Sequence, residues 1–181
     1  MSNYVLEKII SPQECAEIIE LGTTKGIKKQ DNVINSDNVT VDKSVRSTDV
    51  YFLNDVALYQ KIMPHVTRLN RWGYSFSRVE PLQLGIYREG DHYDWHVDDD
   101  GVAYDSSAGP FAGLNRRLSF SILLNEDFEG GEFLLENNVD VNLNQQGNIL
   151  LFPSTLLHKV NPVTQGTRYS LVGWCCGELW R

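Results

Sequence analysis

The chain is 181 residues long, 41% hydrophobic and 10% aromatic, which suits one folded domain with a substantial core and excludes a disordered segment. Its net charge of −8 argues against broad binding to nucleic acid or to an anionic membrane surface. Three cysteines, Cys15 and the neighbours Cys175 and Cys176, make no disulfide framework and imply a reducing setting, so a cytoplasmic protein is expected.

The first residues, MSNYVLEKIISPQECAEII, lack the basic start and apolar centre of a signal peptide. No apolar run approaches the ~20 residues of a membrane span. Ser11, Pro12 and Glu14 form a helix start: an N-cap, a proline at the first helical position and a capping-box acid. The helix should run to about Gly22 with Cys15, Ile18 and Ile19 facing inward and Leu21 as a further candidate. Residues 26–45 are polar and rich in Lys, Asp and Asn, which reads as a long mobile loop or an irregular strand pair. VRSTDVYFL then reads as a strand, and DVALYQKIMPHVTRLNRWG as a helical segment that Pro64 bends or splits.

After Ser75 the period changes. FSRVEPLQLGIYR, HYDWHVD, RLSFSILLN, GEFLLE, VDVNLNQ, GNILLFP, HKVNPV and RYSLVGWCC are short, β-branched or aromatic, and separated by Gly, Asn, Asp and Pro. About eight strands at that spacing predict a sandwich, barrel or jelly roll. Residues 99–115, DDGVAYDSSAGPFAGLN, are too long for a plain hairpin. With no internal repeat and no linker, one domain over 1–181 is expected, with helical support over about 1–75 and a strand-rich core over about 76–181.

The stretch YREGDHYDWHVDDD carries five Asp and two His in fourteen positions. On an extended strand His92, Asp94, His96 and Asp98 share one face, with Tyr93, Trp95 and Val97 on the other. That pattern suits either a polar edge aimed into a cavity or an edge strand facing water. A calcium loop starting at Asp94 fails in register, because the sixth position is Asp99 rather than Gly and the twelfth is Asp105. The zincin His-Glu-x-x-His and the hydrolase Gly-x-Ser-x-Gly are absent. Downstream, the apolar run Ile149–Phe152 ends at Pro153, His158 follows, and Arg168 lies ten residues further on. A His-x-Asp pair with a distal His makes a two-histidine, one-carboxylate triad, which leaves positions open on Fe(II).

With His96, Asp98, His158, Arg168 and the intervening FEGGEFLL, the chain resembles the Fe(II)/2-oxoglutarate-dependent oxygenases of the prolyl 4-hydroxylase-like branch. Its carboxy-terminal run is similar to PKHD-type hydroxylases. The resemblance covers roughly residues 46–174. It implies a double-stranded β-helix of jelly-roll type, mainly β, with amino-terminal helices packed outside. It also implies an oxidoreductase that uses Fe(II), 2-oxoglutarate and O₂, with ascorbate as reductant. The reaction so implied is hydroxylation of a C–H bond, with 2-oxoglutarate decarboxylated to succinate and CO₂.

On this resemblance His96, Asp98 and His158 hold the metal, and Arg168 grips the far carboxylate of 2-oxoglutarate with two parallel hydrogen bonds. Arg168, Ser170, Val172 and Trp174 share a strand face, so an inward Val172 brings Arg168 inward, and a buried arginine needs an anion. Tyr87 matches a tyrosine whose hydroxyl reaches the co-substrate, or else is aromatic core. Asp99 and Asp100 read as turn residues or as partners of the ligands, and His92 as a rim or structural residue. Arg46, Tyr93 and Trp174 match substrate-lining positions, as does Arg116 or its neighbour Arg117. Two departures bear on the substrate. Cys176 stands where several peptide prolyl hydroxylases have His, and Leu123 and Leu124 occupy a run where some relatives have Tyr. The expected partner is a peptide or protein containing the target proline. A free amino acid or other small metabolite is the alternative, and a non-catalytic binding module is a third.

Overall fold

The structure is a computed structural model that describes residues 3–29, 33–35, 38–40 and 44–178. Strand β1 (Val5–Lys8) leads into helix α1 (Pro12–Lys25), then β2 (Ile27–Lys29), β3 (Val33–Asn35), β4 (Asn38–Thr40), β5 (Asp49–Leu53) and helix α2 (Val56–Leu69). Next come β6 (Arg78–Val79), β7 (Leu82–Tyr87), β8 (Tyr93–His96), β9 (Leu114–Leu123), β10 (Phe128–Gly130) and β11 (Phe133–Leu135). The chain closes with β12 (Val139–Asp140), β13 (Asn148–Pro153), β14 (His158–Val160), β15 (Val163–Gly166) and β16 (Arg168–Glu178).

Helix α1 begins as its sequence dictates. Ser11 is extended, its hydroxyl accepts from the Glu14 N–H, and the Glu14 carboxylate accepts from the Ser11 N–H at 2.7 Å. The helix passes the expected stop at Gly22 and ends at Lys25, where the Gly26 N–H donates to the Gly22 carbonyl. Gly22 serves packing: a Cβ there would lie 2.4 Å from Leu84 Cδ2, so only glycine lets the helix sit this close to β7. Cys15, Ile18 and Gly22 are the buried residues, and Ile19 and Leu21 flank them half-buried.

Asp55 caps α2 by accepting from the Leu58 N–H at 2.9 Å. Leu58, Ile62, Val66 and Leu69 then recur on one face and are buried. Of the two outcomes expected at Pro64, the helix is not split there. Gln60 and Pro64 both lie on the exposed side, where water can serve the carbonyl that proline's missing N–H leaves free. Ile62 is fully buried, so Ile62→Ala would cost about 2–5 kcal/mol.

Eight strands form the main antiparallel sheet in the order β1-β13-β9-β16-β7-β5-β2, with β6 also paired to β16. Alternation divides its side chains. Leu82, Leu84, Leu118, Ile122, Ile149 and Leu171 face the helices, and Tyr87, Leu123, Leu150 and Phe152 face inward. A second sheet, β12-β11-β14-β8, supplies Phe133, Leu135 and Val160 to that inner cluster, so the two sheets pack face to face. This is the double-stranded β-helix, with both helices on its outer face. Residues 26–45 fall partly outside the described residues; the described part includes β3 and β4, which pair antiparallel. Residues 99–115 contain a 3₁₀ helix, Ser106–Phe111. VDVNLNQ is a strand over only Val139–Asp140, after which Val141 and Leu143 are buried. Among the described residues no helix is long and apolar enough to cross a membrane.

Candidate metal centre and its pocket

Strands β8 and β14 pair antiparallel with His96 opposite His158, which sets their rings 4.1 Å apart between centroids. Beyond His96 the chain leaves the strand. The Asp98 and Asp99 N–H groups both donate to the Ser154 carbonyl, at 2.9 and 3.0 Å, and this turn swings Asp98 back toward the two rings. Asp98 Oδ2 lies 3.6 Å from His158 Nε2, and Oδ1 lies 3.8 Å from His96 Nε2. One ligand atom from each of the three lies within 4.8 Å of the others.

The tautomers follow from the neighbours. His96 Nδ1 lies 2.8 Å from the Asp94 carbonyl and His158 Nδ1 lies 2.8 Å from the Leu156 carbonyl. A carbonyl only accepts, so each Nδ1 carries the proton and each Nε2 presents its lone pair to the gap. Burial, reinforced by the facing His158, pushes His96 down to about 4, which keeps its ring neutral near pH 7. Burial opposes ionisation of Asp98, but His158, His96 and Arg116 hold its carboxyl below the usual range. Two imidazoles that present Nε2 and one carboxylate suit Fe(II), and three protein ligands leave positions open. No thiol belongs to the cluster, and burial pushes Cys175 up to about 12 and Cys15 to about 11.

The cluster opens into a pocket also lined by Tyr87, Tyr93, Phe133, Arg168 and Trp174. Arg168 pairs with Tyr87 across β16 and β7, and its guanidinium carbon lies 5.4 Å from the centre of that ring. It is 1% exposed, yet its Nε and Nη2 have no hydrogen-bond partner. Burial lowers its proton affinity, opposed by Tyr87, but an arginine stays charged. A buried cation with two orphaned donors is the complement of a carboxylate. Both halves of the site therefore fit their groups, the triad an iron and Arg168 a 2-oxo diacid. Ser170, Val172 and Trp174 line the same pocket, as the shared parity on β16 predicted.

On β8 simple alternation fails. The register with β14 runs from His158 opposite His96 to Val160 opposite Tyr93, so β8 carries one extra residue. Tyr93 therefore turns to the same side as His96 and stacks on it at 3.5 Å, where alternation would set it on the opposite face. Of the four residues expected on the His96 face, His96 and Asp98 meet, while Asp94 is exposed. His92 Nδ1 and Nε2 lie 3.3 and 3.1 Å from the Gly90 and Ser44 carbonyls, a structural tie to the segment preceding β5. Asp99 accepts from the Gly101 N–H and from Asn115, and Asp100 from the Val102 N–H, so both are turn residues.

Arg46 bridges to Tyr93, its guanidinium carbon 4.6 Å from the ring centre and its buried Nε without a partner. Trp174 Nε1 is likewise buried and unpartnered. Of Arg116 and Arg117, Arg116 lies 3.9 Å from the centre of the Trp174 ring but is not itself among the residues that line the pocket, whereas Arg117 donates to the Glu178 carbonyl. Sequence reasoning passed over Glu80, which binds Arg116 through both carboxylate oxygens at 2.7 Å. Its one signal is an acid placed between β6 and β7, in VEPLQ.

The comparisons agree with this geometry. The sequence signature of the 2OG-Fe(II) oxygenase superfamily matches residues 82–176. A PKHD-type hydroxylase of Idiomarina loihiensis is 29% identical over 93% of this chain and 71% of its own length. Another, from Synechococcus sp. (strain CC9902), is 38% identical over 54% of this chain, and the match spans only 41% of that protein. Among solved structures, a Trichoplax adhaerens prolyl hydroxylase in complex with a hypoxia inducible factor peptide fragment is 18% identical. It superposes with a TM-score of 0.73 over 96% of this chain and 83% of that one.

Proposed function

The chain belongs to the 2OG-Fe(II) oxygenase superfamily, and from that premise we propose that it hydroxylates a prolyl residue within a peptide or protein, with decarboxylation of 2-oxoglutarate to succinate and CO₂. As a member it is an oxidoreductase whose cofactors are Fe(II), 2-oxoglutarate and O₂. The observation that carries the reading is Arg168, a buried guanidinium with Nε and Nη2 unpartnered in the pocket that also holds His96, Asp98 and His158.

His96 and His158 would hold the metal through Nε2, in the tautomer set by the Asp94 and Leu156 carbonyls, and Asp98 would hold it through its carboxylate. When bound, iron and 2-oxoglutarate supply, with O₂, the oxidising power toward a C–H bond that no side chain has. Arg168 would fix the far carboxylate of the co-substrate with parallel N–H bonds, and Tyr87 stands beside it to offer a hydroxyl. The inner sheet face excludes water around these groups through Phe133, Phe152 and Val160.

Three features support a prolyl peptide. Tyr93 and Trp174 offer flat apolar faces suited to a pyrrolidine ring. Arg46 holds an unpartnered Nε on the pocket wall, suited to a main-chain carbonyl of an extended segment. The relatives are PKHD-type hydroxylases, and the Trichoplax neighbour is a prolyl hydroxylase in complex with a peptide fragment.

The test is incubation with Fe(II), 2-oxoglutarate and proline-containing peptides, followed by mass spectrometry. The expected result is a gain of one oxygen atom on proline with stoichiometric succinate. Hydroxylation of free amino acids with none on peptides would overturn the substrate assignment. Absence of succinate with every substrate would overturn the activity itself.

A further inference from the structure

Beside the metal cluster lies a group of half-buried polar side chains that ligand binding does not explain. Glu80 sits at its centre. Its backbone is pinned on both sides, the N–H donating to the Trp174 carbonyl at 3.0 Å and the carbonyl accepting from the Tyr59 hydroxyl at 3.0 Å. Its carboxylate takes Arg116 Nε and Nη2 at 2.7 Å each. Tyr104, from the loop over 99–115, donates to the same carboxylate at 2.5 Å, and the Cys176 thiol lies 3.5 Å from it.

The remaining edge of Arg116 faces the site. Nη1 lies 3.9 Å from Asp98 Oδ1, near enough for attraction and too far for a hydrogen bond. A half-buried guanidinium and a buried carboxylate this close would ordinarily close into a two-bond pair. Here they do not, because the Nε–Nη2 edge is held by Glu80 and the plane rests on Trp174 at 3.9 Å. Two carboxylates thus compete for one cation, and the better-anchored one has it.

We propose that Glu80 is a positioning residue that holds Arg116 away from Asp98 and thereby leaves the Asp98 carboxylate free for the metal. The inference rests on the reading of His96, Asp98 and His158 as metal ligands. Without the Glu80 charge, Arg116 turns its fork onto Asp98, occupies the oxygens the metal needs, and adds an uncompensated positive charge beside an incoming dication. The same pair sets the height of Arg116 under Trp174, so Glu80 also holds one wall of the pocket.

The test is anaerobic titration of the purified protein with Mn(II), read by calorimetry, which needs no turnover. Glu80→Gln keeps the size of the side chain and removes its charge. It is expected to bind Mn(II) about 10- to 100-fold more weakly, the range typical for residues that support metal ligands. The double variant Glu80→Gln/Arg116→Gln removes the captor as well and should return to within about threefold of wild type. Wild-type affinity in Glu80→Gln would overturn the proposal. So would a double variant as weak as the single one, since Glu80 would then be plain scaffolding. Should Glu80→Gln not fold, Glu80→Asp replaces it. Its carboxylate sits one methylene further back and cannot keep both 2.7 Å bonds with Arg116 where it stands, so at least about a threefold loss is expected, and wild-type affinity would again count against the idea. If wild type and Asp98→Ala bind Mn(II) equally, the ligand assignment itself is wrong and this inference falls with it.

Discussion

His96 and His158 stand directly opposite each other on neighbouring antiparallel strands, each with Nδ1 2.8 Å from the carbonyl two residues before it. Two Nε2 lone pairs therefore converge on the gap that Asp98 closes from the third side. Such a preformed site should show in stability. A ligand that binds only the folded state at a hundredfold excess over Kd adds about 2.7 kcal/mol. For a chain of this size that is a rise of roughly 5–10 °C in Tm with Mn(II). Asp98→Ala is expected to fold and to lose that rise. An equal rise in wild type and Asp98→Ala would place the metal elsewhere.

Arg168 makes the opposite kind of prediction. An ion buried without a counter-ion costs stability, and the Tyr87 ring at 5.4 Å offsets only part of that. Arg168→Met fills similar space without the charge, so the ligand-free variant should be more stable than wild type by about 1–4 kcal/mol in urea unfolding. The same change should weaken 2-oxoglutarate binding by about 2–5 kcal/mol, roughly 30-fold or more. A destabilised variant with unchanged affinity for 2-oxoglutarate would show that Arg168 has an internal role instead.

These two groups are also where the sequence was most readable. His96, Asp98 and His158 announce themselves by ligand chemistry and spacing, and Arg168 by sharing a face with Val172 on a regular strand, β16. Reading failed wherever a strand departed from strict alternation. The extra residue in β8 carries Tyr93 to the His96 side, and no propensity marks a bulge of that kind. A second register shift on β16, between Cys175 and Cys176, falls opposite the Arg116–Leu118 stretch of β9, where Arg116 and Arg117 could not be told apart. Glu80 was invisible for another reason. It lies inside FSRVEPLQLGIYR, which reads simply as a strand, and only the long-range pairing of β6, β7, β9 and β16, with the loop over 99–115, surrounds it with Arg116, Tyr104 and Cys176. Gly22 misled because glycine marks helix ends in sequence, whereas here it marks a close crossing.

Away from the site, the Ser11–Glu14 capping box carries a pH signature. A hydrogen bond from Lys61, then those from the Ser11 N–H and hydroxyl, hold the Glu14 carboxyl at about 2 against an ordinary value of 4.5. The folded state therefore takes up this proton later than the unfolded state as pH falls. The stability it confers is whole above about pH 4.5 and is lost as pH drops through about 2. Both side chains of the pair are about a third exposed, 38% for Lys61 and 33% for Glu14, so solvent screens much of the effect. Glu14→Gln should cost about 0.5–1 kcal/mol at pH 7, with the gap to wild type closing toward pH 2. A gap that is constant with pH would mean that packing, and not charge, is what the substitution removes.

Gly131 joins backbone geometry to Arg168, the arginine proposed to hold the co-substrate. Its φ of +65° belongs to the left-handed region, which costs a residue with a Cβ about 1–2 kcal/mol. A Cβ there would also lie 2.9 Å from Arg168 Cδ and 3.2 Å from Val163 Cγ2. Arg168 is walled in, so the new methyl must displace the guanidinium from its place beside Tyr87. Gly131→Ala should therefore lower stability and raise the KM for 2-oxoglutarate together, with Mn(II) affinity close to wild type because the triad lies on other strands. Gly130→Ala serves as the comparison. Its φ of +72° imposes the same backbone penalty, but its Cβ would meet the Pro162 carbonyl and Thr164 rather than Arg168. It should lose stability with little change in KM. If the two variants shift the KM for 2-oxoglutarate equally, the Gly131 contact with Arg168 has no bearing on co-substrate binding, and both effects reduce to loosening of the turn.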